Sequence, residues 1–332
     1  MYRQLQVIVL LLQLLFMIRA LGRRIHLPST RALRAFGNHP LNLPVSCVYP
    51  RRYNRHLTIN MANFIGSTSN ETNGSSSTAE GSALGSSATA GQDVSVVENA
   101  QIVLNRISSA AVRADRPPES VRLVCVSKTK PIEMIQQLYE AGFRHFGENY
   151  FQELLEKSAA LPKDISWHFI GHLQSSKAAK LVKEVENLAV LETVDSTKLA
   201  NKLNNACMSA ERAEPLHVFL QVDTSGEATK SGVAEGPELE ELVDFVLQGC
   251  PSLRIRGLMT IGAPGDSSCF DKLVSARSSV STRILEHYET QEDLELSMGM
   301  SGDFEPAIER GATSVRVGST IFGARLYPNK VA

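Results

Sequence analysis

Cysteine is scarce and unpatterned: five residues in 332 (Cys47, Cys125, Cys207, Cys250 and Cys269), with no C-x-x-C spacing. An odd, scattered set excludes a disulfide framework and a cysteine-based zinc site, and fits free thiols in a reducing compartment. No metal site is expected. Acid is missing altogether from residues 1–70, as is lysine, against nine arginines there. Residues 71–332 therefore carry all 35 acids against 25 basic residues, a net charge of −10. That body lacks the basic stripe which nucleic acid requires of a main partner. Small anionic ligands stay open to it, since oriented N–H groups can hold an anion within an acidic protein. Aromatic residues are few, with a single tryptophan, Trp167.

The apolar run at residues 5–18 lies behind Arg3 and ahead of Arg19, Arg23 and Arg24. It is too short for a membrane-spanning helix and closer to a signal-peptide core. No stable membrane span is expected in the mature barrel. An arginine-rich, acid-free leader over residues 1–66 fits a mitochondrial presequence equally well, and a start at Met61 would make it an extension. The expected location is cytoplasmic, mitochondrial or both, with a Met61 start favouring the cytoplasm. From Ser67 to Gln92, sixteen of 26 residues are Ser, Thr or Gly. Such a stretch cannot bury enough surface to order itself and reads as a linker. The folded domain is expected over residues 93–327, followed by a short tail at 328–332.

Asp93–Ala114 predicts an amphipathic helix, with Val97, Ala100, Val103, Ile107 and Ala111 on one face and a capping box at Ser95 and Glu98. Strand patterns follow at Leu123–Ser127, His145–Gly147, Trp167–Gly171, Ala189–Val194, His217–Val222, Ile255–Ile261, Glu295–Gly299 and Ser314–Val317. Helical patterns alternate with them at Ile132–Ala141, Tyr150–Ala159, Ser175–Glu186, Thr197–Ala210, Pro237–Gln248, Phe270–His287 and Phe304–Arg310. Alternation of this kind allows a (β/α)₈ barrel or an open doubly wound sheet. The count of eight strands favours the barrel, a TIM barrel whose outer ring is completed by the N-terminal helix. The absence of G-x-G-x-x-G after the first strand weakens the dinucleotide-binding alternative.

A barrel gathers its functional residues at the C-terminal ends of its strands. The first strand ends at Lys128, whose amine burial could make nucleophilic, although a strand-end lysine is commonly just solvated. Strand two runs into Glu148, Asn149 and Tyr150. Strand seven ends at Gly299 and Ser301. Strand eight ends in Gly318-Ser319-Thr320, where backbone N–H groups and hydroxyls can face an anion at the usual phosphate position of this fold. Arg316 precedes Gly318 by two and shares its face of the strand. An inward arginine needs an acceptor: a ligand nitrogen or carboxylate, or alternatively Asp223 or Glu148 inside the barrel. Lysine, anion cradle and inward arginine around one mouth match the needs of pyridoxal 5'-phosphate (PLP).

V-S-K-T-K-P at 126–131, F-G-E-N-Y at 146–150, W-H-F-I-G-H-L-Q-S at 167–175 and K-S-G at 230–232 occur in that order. R-G-L-M-T-I at 256–261, S-M-G-M-S at 297–301 and R-V-G-S-T-I-F-G-A-R at 316–325 follow. Together they resemble the signatures of the pyridoxal phosphate homeostasis proteins, over roughly residues 93–327. The resemblance implies a single barrel akin to the N-terminal domain of alanine racemase, with PLP held as a Schiff base on Lys128. It further implies that Ser301, Gly318 and Thr320 hold the phosphate, that Arg316 faces the pyridine nitrogen and that Asn149 lies beside the cofactor. The implied role is to store, buffer or deliver PLP, with PLP-requiring apoenzymes as recipients; a monomer or weak dimer is expected.

The alternative is an amino-acid racemase or decarboxylase-like enzyme. Racemisation needs a second acid/base on the opposite face, which such racemases take from a further β domain. Seven residues follow Arg325, and none of Tyr139, Tyr150, Tyr288 and Tyr327 sits in a motif that resembles that base. Other residues take a structural reading. His168 is expected as a satisfied core histidine, Trp167 as packing, Cys125 as a buried inert thiol, and Met259, Met298 and Met300 as core or pocket wall. Lys130 ranks below Lys128 because Pro131 ends the strand, and Lys230 is expected as a solvated charge that could meet anions.

Overall fold

Eight short strands close on themselves, every pair parallel, in the order β1 to β8 with β1 hydrogen-bonded to β8. The computed structural model describes residues 95–227 and 231–324. The leader, the linker, Cys47, Lys230, Arg325, Tyr327 and the tail lie outside the described residues. The strands are β1 (Arg122–Val126), β2 (His145–Glu148), β3 (Ser166–Phe169), β4 (Leu188–Val194), β5 (Leu216–Gln221), β6 (Leu253–Met259), β7 (Glu295–Met300) and β8 (Ser314–Val317). The TIM barrel expectation is borne out, with strand boundaries moved by at most two residues and those of β8 unchanged.

Every strand is buried, because helices cover the outside and side chains fill the inside. Alternation sorts the residues. Leu123 and Cys125 of β1 face the helices and join the large outer core, as do Phe146, Trp167, Leu191, Val218, Leu296 and Val315. Inside the barrel a small apolar group of Val190, Phe219 and Met259 sits among polar and charged side chains.

The N-terminal helix α1 (Val96–Arg113) starts at the anticipated capping box: the Glu98 N–H donates to Ser95 Oγ at 3.2 Å, and the Ser95 N–H to Glu98 Oε2 at 3.0 Å. Val96, Ala100, Val103, Ile107, Ala110 and Ala111 form its buried stripe. Polar ties dock it beside α8 (Phe304–Glu309): Arg106 pairs with Glu305 at 2.8 Å and Arg113 with Glu309 at 2.9 Å. This helix does complete the outer ring.

The remaining helices are α2 (Ile132–Glu140), α3 (Phe151–Ala160), α4 (Ala178–Glu184), α5 (Thr197–Ser209), α6 (Pro237–Gly249) and α7 (Ser268–His287). Two departures from expectation occur. The predicted helix at 175–186 begins as a 3₁₀ turn, Ser175–Lys177, before α4. Directly after β8, where only a loop was expected, the chain makes one helical turn, α9 (Ser319–Phe322). Among the described residues no helix is long and apolar enough to cross a membrane.

Candidate functional site

The C-terminal ends of β7, β8, β1 and β2 are neighbours in the closed sheet, and they carry the residues singled out from the sequence. Val124 pairs with Arg316 and Val126 with Gly147. A Cβ on Gly318 would lie 3.2 Å from the carbonyl oxygen of Val126, so the start of the cradle abuts the end of β1. The Gly318 N–H donates to Ser301 Oγ at 3.1 Å, joining the ends of β8 and β7. The next N–H groups, of Ser319 and Thr320, head α9 and have no acceptor within their own helix.

Lys128 is half-buried and follows a heavily fixed segment. Ser127 donates its N–H to Gly147 O at 3.0 Å, and its carbonyl accepts from the Lys130 N–H at 3.1 Å. That contact closes a turn around Lys128 and Thr129. Thr129 has φ +59°, a left-handed conformation that a β-branched residue adopts only at a cost. Its N–H is held by Glu153 Oε2 at 2.8 Å.

Behind this turn lies an ion network that sequence reading missed. Lys157, on the buried face of α3, donates to Ser127 O at 2.8 Å, Glu148 Oε1 at 2.8 Å and Glu153 Oε2 at 2.9 Å. Ser127 Oγ donates to the same Glu148 oxygen at 2.6 Å. Burial raises the Glu148 carboxyl above its usual pKa, with Lys157 and Ser127 pulling the other way. The i, i+4 spacing of Glu153 and Lys157 was the available signal.

Arg316 faces inward and is 4% exposed. Its partner is neither Asp223 nor Glu148, the two acids considered from the sequence. Glu148 lies on the outward face of β2, turned to Lys157, and Asp223 accepts from the Ser225 and Gly226 N–H groups of its own loop, each at 3.0 Å. Arg316 Nη1 instead donates to Ser297 Oγ at 2.6 Å and Nη2 to Thr260 O at 2.8 Å. Its nearest carboxylate is Glu192, at 4.0 Å. The sequence signal for it is an acid within the apolar run of β4.

His168 is the satisfied core histidine expected: Nδ1 meets Glu192 at 2.6 Å and Nε2 meets His145 Nδ1 at 3.2 Å. Cys125 is fully buried, and burial drives its thiol pKa far up, which suits an inert role. Trp167, Met259 and Met298 are packed in the interior, and Met300 is half-buried. Lys130 has a structural post: Nζ donates to the carbonyls of Phe322 and Ala324, both at 2.8 Å. The side-chain oxygen of Asn149 is buried without a partner at the end of β2. Its backbone presses on Gly171, where a Cβ would fall 2.0 Å from Asn149 O, so only glycine fits there.

A family model described as "Alanine racemase, N-terminal domain" matches residues 103–326. Proteins named pyridoxal phosphate homeostasis protein are similar along almost their whole length. The one from Bos taurus is 47% identical over 242 residues, 69% of this chain and 86% of that protein. The one from Caenorhabditis elegans is 41% identical over 247 residues, 71% of this chain and 99% of that protein. This chain belongs to the pyridoxal phosphate homeostasis protein family. Among solved structures, PipY of Synechococcus elongatus, described with PLP bound, is 34% identical with a TM-score of 0.54, covering 67% of this chain and all of that one. An alanine racemase from Clostridium difficile, 16% identical with a TM-score of 0.53 over 70% of this chain and 58% of its own, shares the fold alone.

The residues present fit the cofactor after which this pyridoxal phosphate homeostasis family is named. An unpartnered buried amide oxygen at Asn149, leading N–H groups at Ser319 and Thr320, and a buried cation at Arg316 are the polar complements a phosphorylated pyridine aldehyde needs. Among the described residues no cluster suited to a metal ion occurs.

Proposed function

We propose that this chain binds PLP as a Schiff base on Lys128 and serves in its homeostasis, buffering the cofactor and delivering it to PLP-requiring apoenzymes. The observation that best supports this is the Ser301–Gly318 bond, which joins the ends of β7 and β8 against the last residue of β1, two before Lys128. The relatives named for pyridoxal phosphate homeostasis, and PipY, described with PLP bound, support the ligand. In this reading Lys128 bonds the aldehyde carbon, and Ser301, Gly318 and Thr320 hold the phosphate. Arg316 faces the ring nitrogen, and Asn149 lies beside the ring. When bound, the cofactor supplies an electrophilic carbonyl and an electron-withdrawing ring.

Turnover of an amino acid would need a second group to move its α-proton. Two of the tyrosines are engaged at the opposite, N-terminal end of the barrel. Tyr139 donates to Asp164 at 2.7 Å, and the Tyr288 hydroxyl accepts from the Ile255 N–H at 3.0 Å. The relatives named as homeostasis proteins favour carriage without turnover. Incubating the PLP-loaded protein with amino acids in deuterated water tests it: no α-proton exchange is expected, and exchange at enzyme-like rates would overturn it. The basic, acid-free leader supports a cytoplasmic or mitochondrial location, which the mature N-terminus would decide.

A further inference from the structure

Arg316 would be expensive to bury alone, yet no acid hydrogen-bonds it directly, Glu192 standing 4.0 Å away. The Ser297 hydroxyl stands between them, accepting from Arg316 Nη1 at 2.6 Å and donating to Glu192 Oε2 at 2.5 Å. Glu192 is completely buried, with His168 on its other oxygen at 2.6 Å. Burial alone would raise the Glu192 carboxyl, but the bond and charge of His168, together with Arg316 and Ser297, hold it below its usual value. It is a buried carboxylate on the far side of a hydroxyl bridge from Arg316, 4.0 Å from Nη1.

That arrangement does something a direct fork-on-fork pair would not. A bidentate carboxylate would occupy two guanidinium nitrogens on one edge and satisfy the arginine within the barrel. Here each of Nη1 and Nη2 makes one bond, to Ser297 and to Thr260 O, and the remaining N–H donors stay outside the bridge. The guanidinium is held in plane and charge-balanced from behind while keeping donors for a ligand.

We propose that Glu192, acting through Ser297, is a positioning residue that aims Arg316 at the ring nitrogen of bound PLP, so that the pair selects a ring carrying a nitrogen acceptor. The proposal rests on the reading of Arg316 given above.

The test uses the full chain without cofactor, titrated with PLP and with its 1-deaza analogue, in which carbon replaces the ring nitrogen while aldehyde, phenol and phosphate stay. The wild-type protein should prefer PLP by about tenfold or more, the effect of one hydrogen bond to a charged donor in a dry site. Glu192→Gln and Ser297→Ala are nearly isosteric, and each should shrink that preference to about twofold with little change for the analogue. A merely structural role would weaken both ligands equally and would overturn the proposal, as would a preference kept intact in both variants. Ser297→Ala, which leaves both charges in place, decides alone if Glu192→Gln does not fold. Absence of any preference in the wild-type protein would bring down the reading of Arg316, and this proposal with it.

Discussion

Lys157 Nζ donates to the carbonyl oxygen of Ser127 at 2.8 Å, so the residue before Lys128 is gripped from behind by a buried ammonium. The same ammonium neutralises Glu148, whose side chain has no exposure at all. Replacing one member of a buried pair strands the other. Lys157→Met should lower stability by about 3–5 kcal/mol in denaturant unfolding. The double variant Lys157→Met/Glu148→Gln should recover part of the loss. A loss below about 1 kcal/mol, the range of exposed pairs, would show that the network does not fix this turn.

Ser301 Oγ is the acceptor of the Gly318 N–H. Ser301→Ala removes that acceptor and one hydroxyl of the proposed phosphate cradle together. PLP affinity should fall by about tenfold, as for loss of a hydrogen bond to a charged group, and inorganic phosphate should compete less well. The chemical adduct on Lys128 should still form at saturating PLP. Unchanged affinity for both ligands would remove Ser301 from the cradle.

Lys130 and Lys128 stand two residues apart and do different work. Lys130 Nζ ties the turn to the carbonyls of Phe322 and Ala324, at the end of α9, and burial lowers its pKa. Lys130→Met should keep the PLP absorption band and weaken affinity severalfold, roughly the worth of one or two such bonds. Loss of the band in this variant would assign the covalent role to the wrong lysine.

His145 sits among Arg122, Arg256 and His168, and burial with those neighbours lowers its pKa to about 3 although Glu295 opposes them. The folded protein therefore keeps it neutral where the unfolded chain, at about 6.5, takes up a proton. Between those values the unfolded state binds more protons, so stability falls as pH drops from about 6.5 towards 3. From pH 7 to pH 5 the loss from this group should be about 1–2 kcal/mol, and His145→Gln should remove it. An equal loss in both proteins by denaturant unfolding would contradict the assignment.

The barrel was legible because short β-prone runs alternate with helices that carry an apolar stripe at helical spacing; even the closing role of α1 followed from its position ahead of β1. The strand-end residues were legible too, since parallel βα units send every strand end to the same face. What stayed hidden were partners supplied by other elements. Nothing within its own helix but the Glu153 spacing marks Lys157; α3 lays it over Ser127 and Glu148. Arg316 was read as inward, but its countercharge was sought at strand ends, whereas β4 brings Glu192 across the interior from the middle of its strand. Sequence spacing ranks neighbours within an element; the closure of the barrel decides which elements face each other.

The most direct test is the covalent bond itself. Protein loaded with PLP should show a Schiff-base absorption band, and borohydride should fix one PLP on the tryptic peptide containing Lys128. Lys128→Ala should lose both the band and the adduct. If Lys128→Ala kept the band, or the adduct mapped to another lysine, the account would be wrong at its centre.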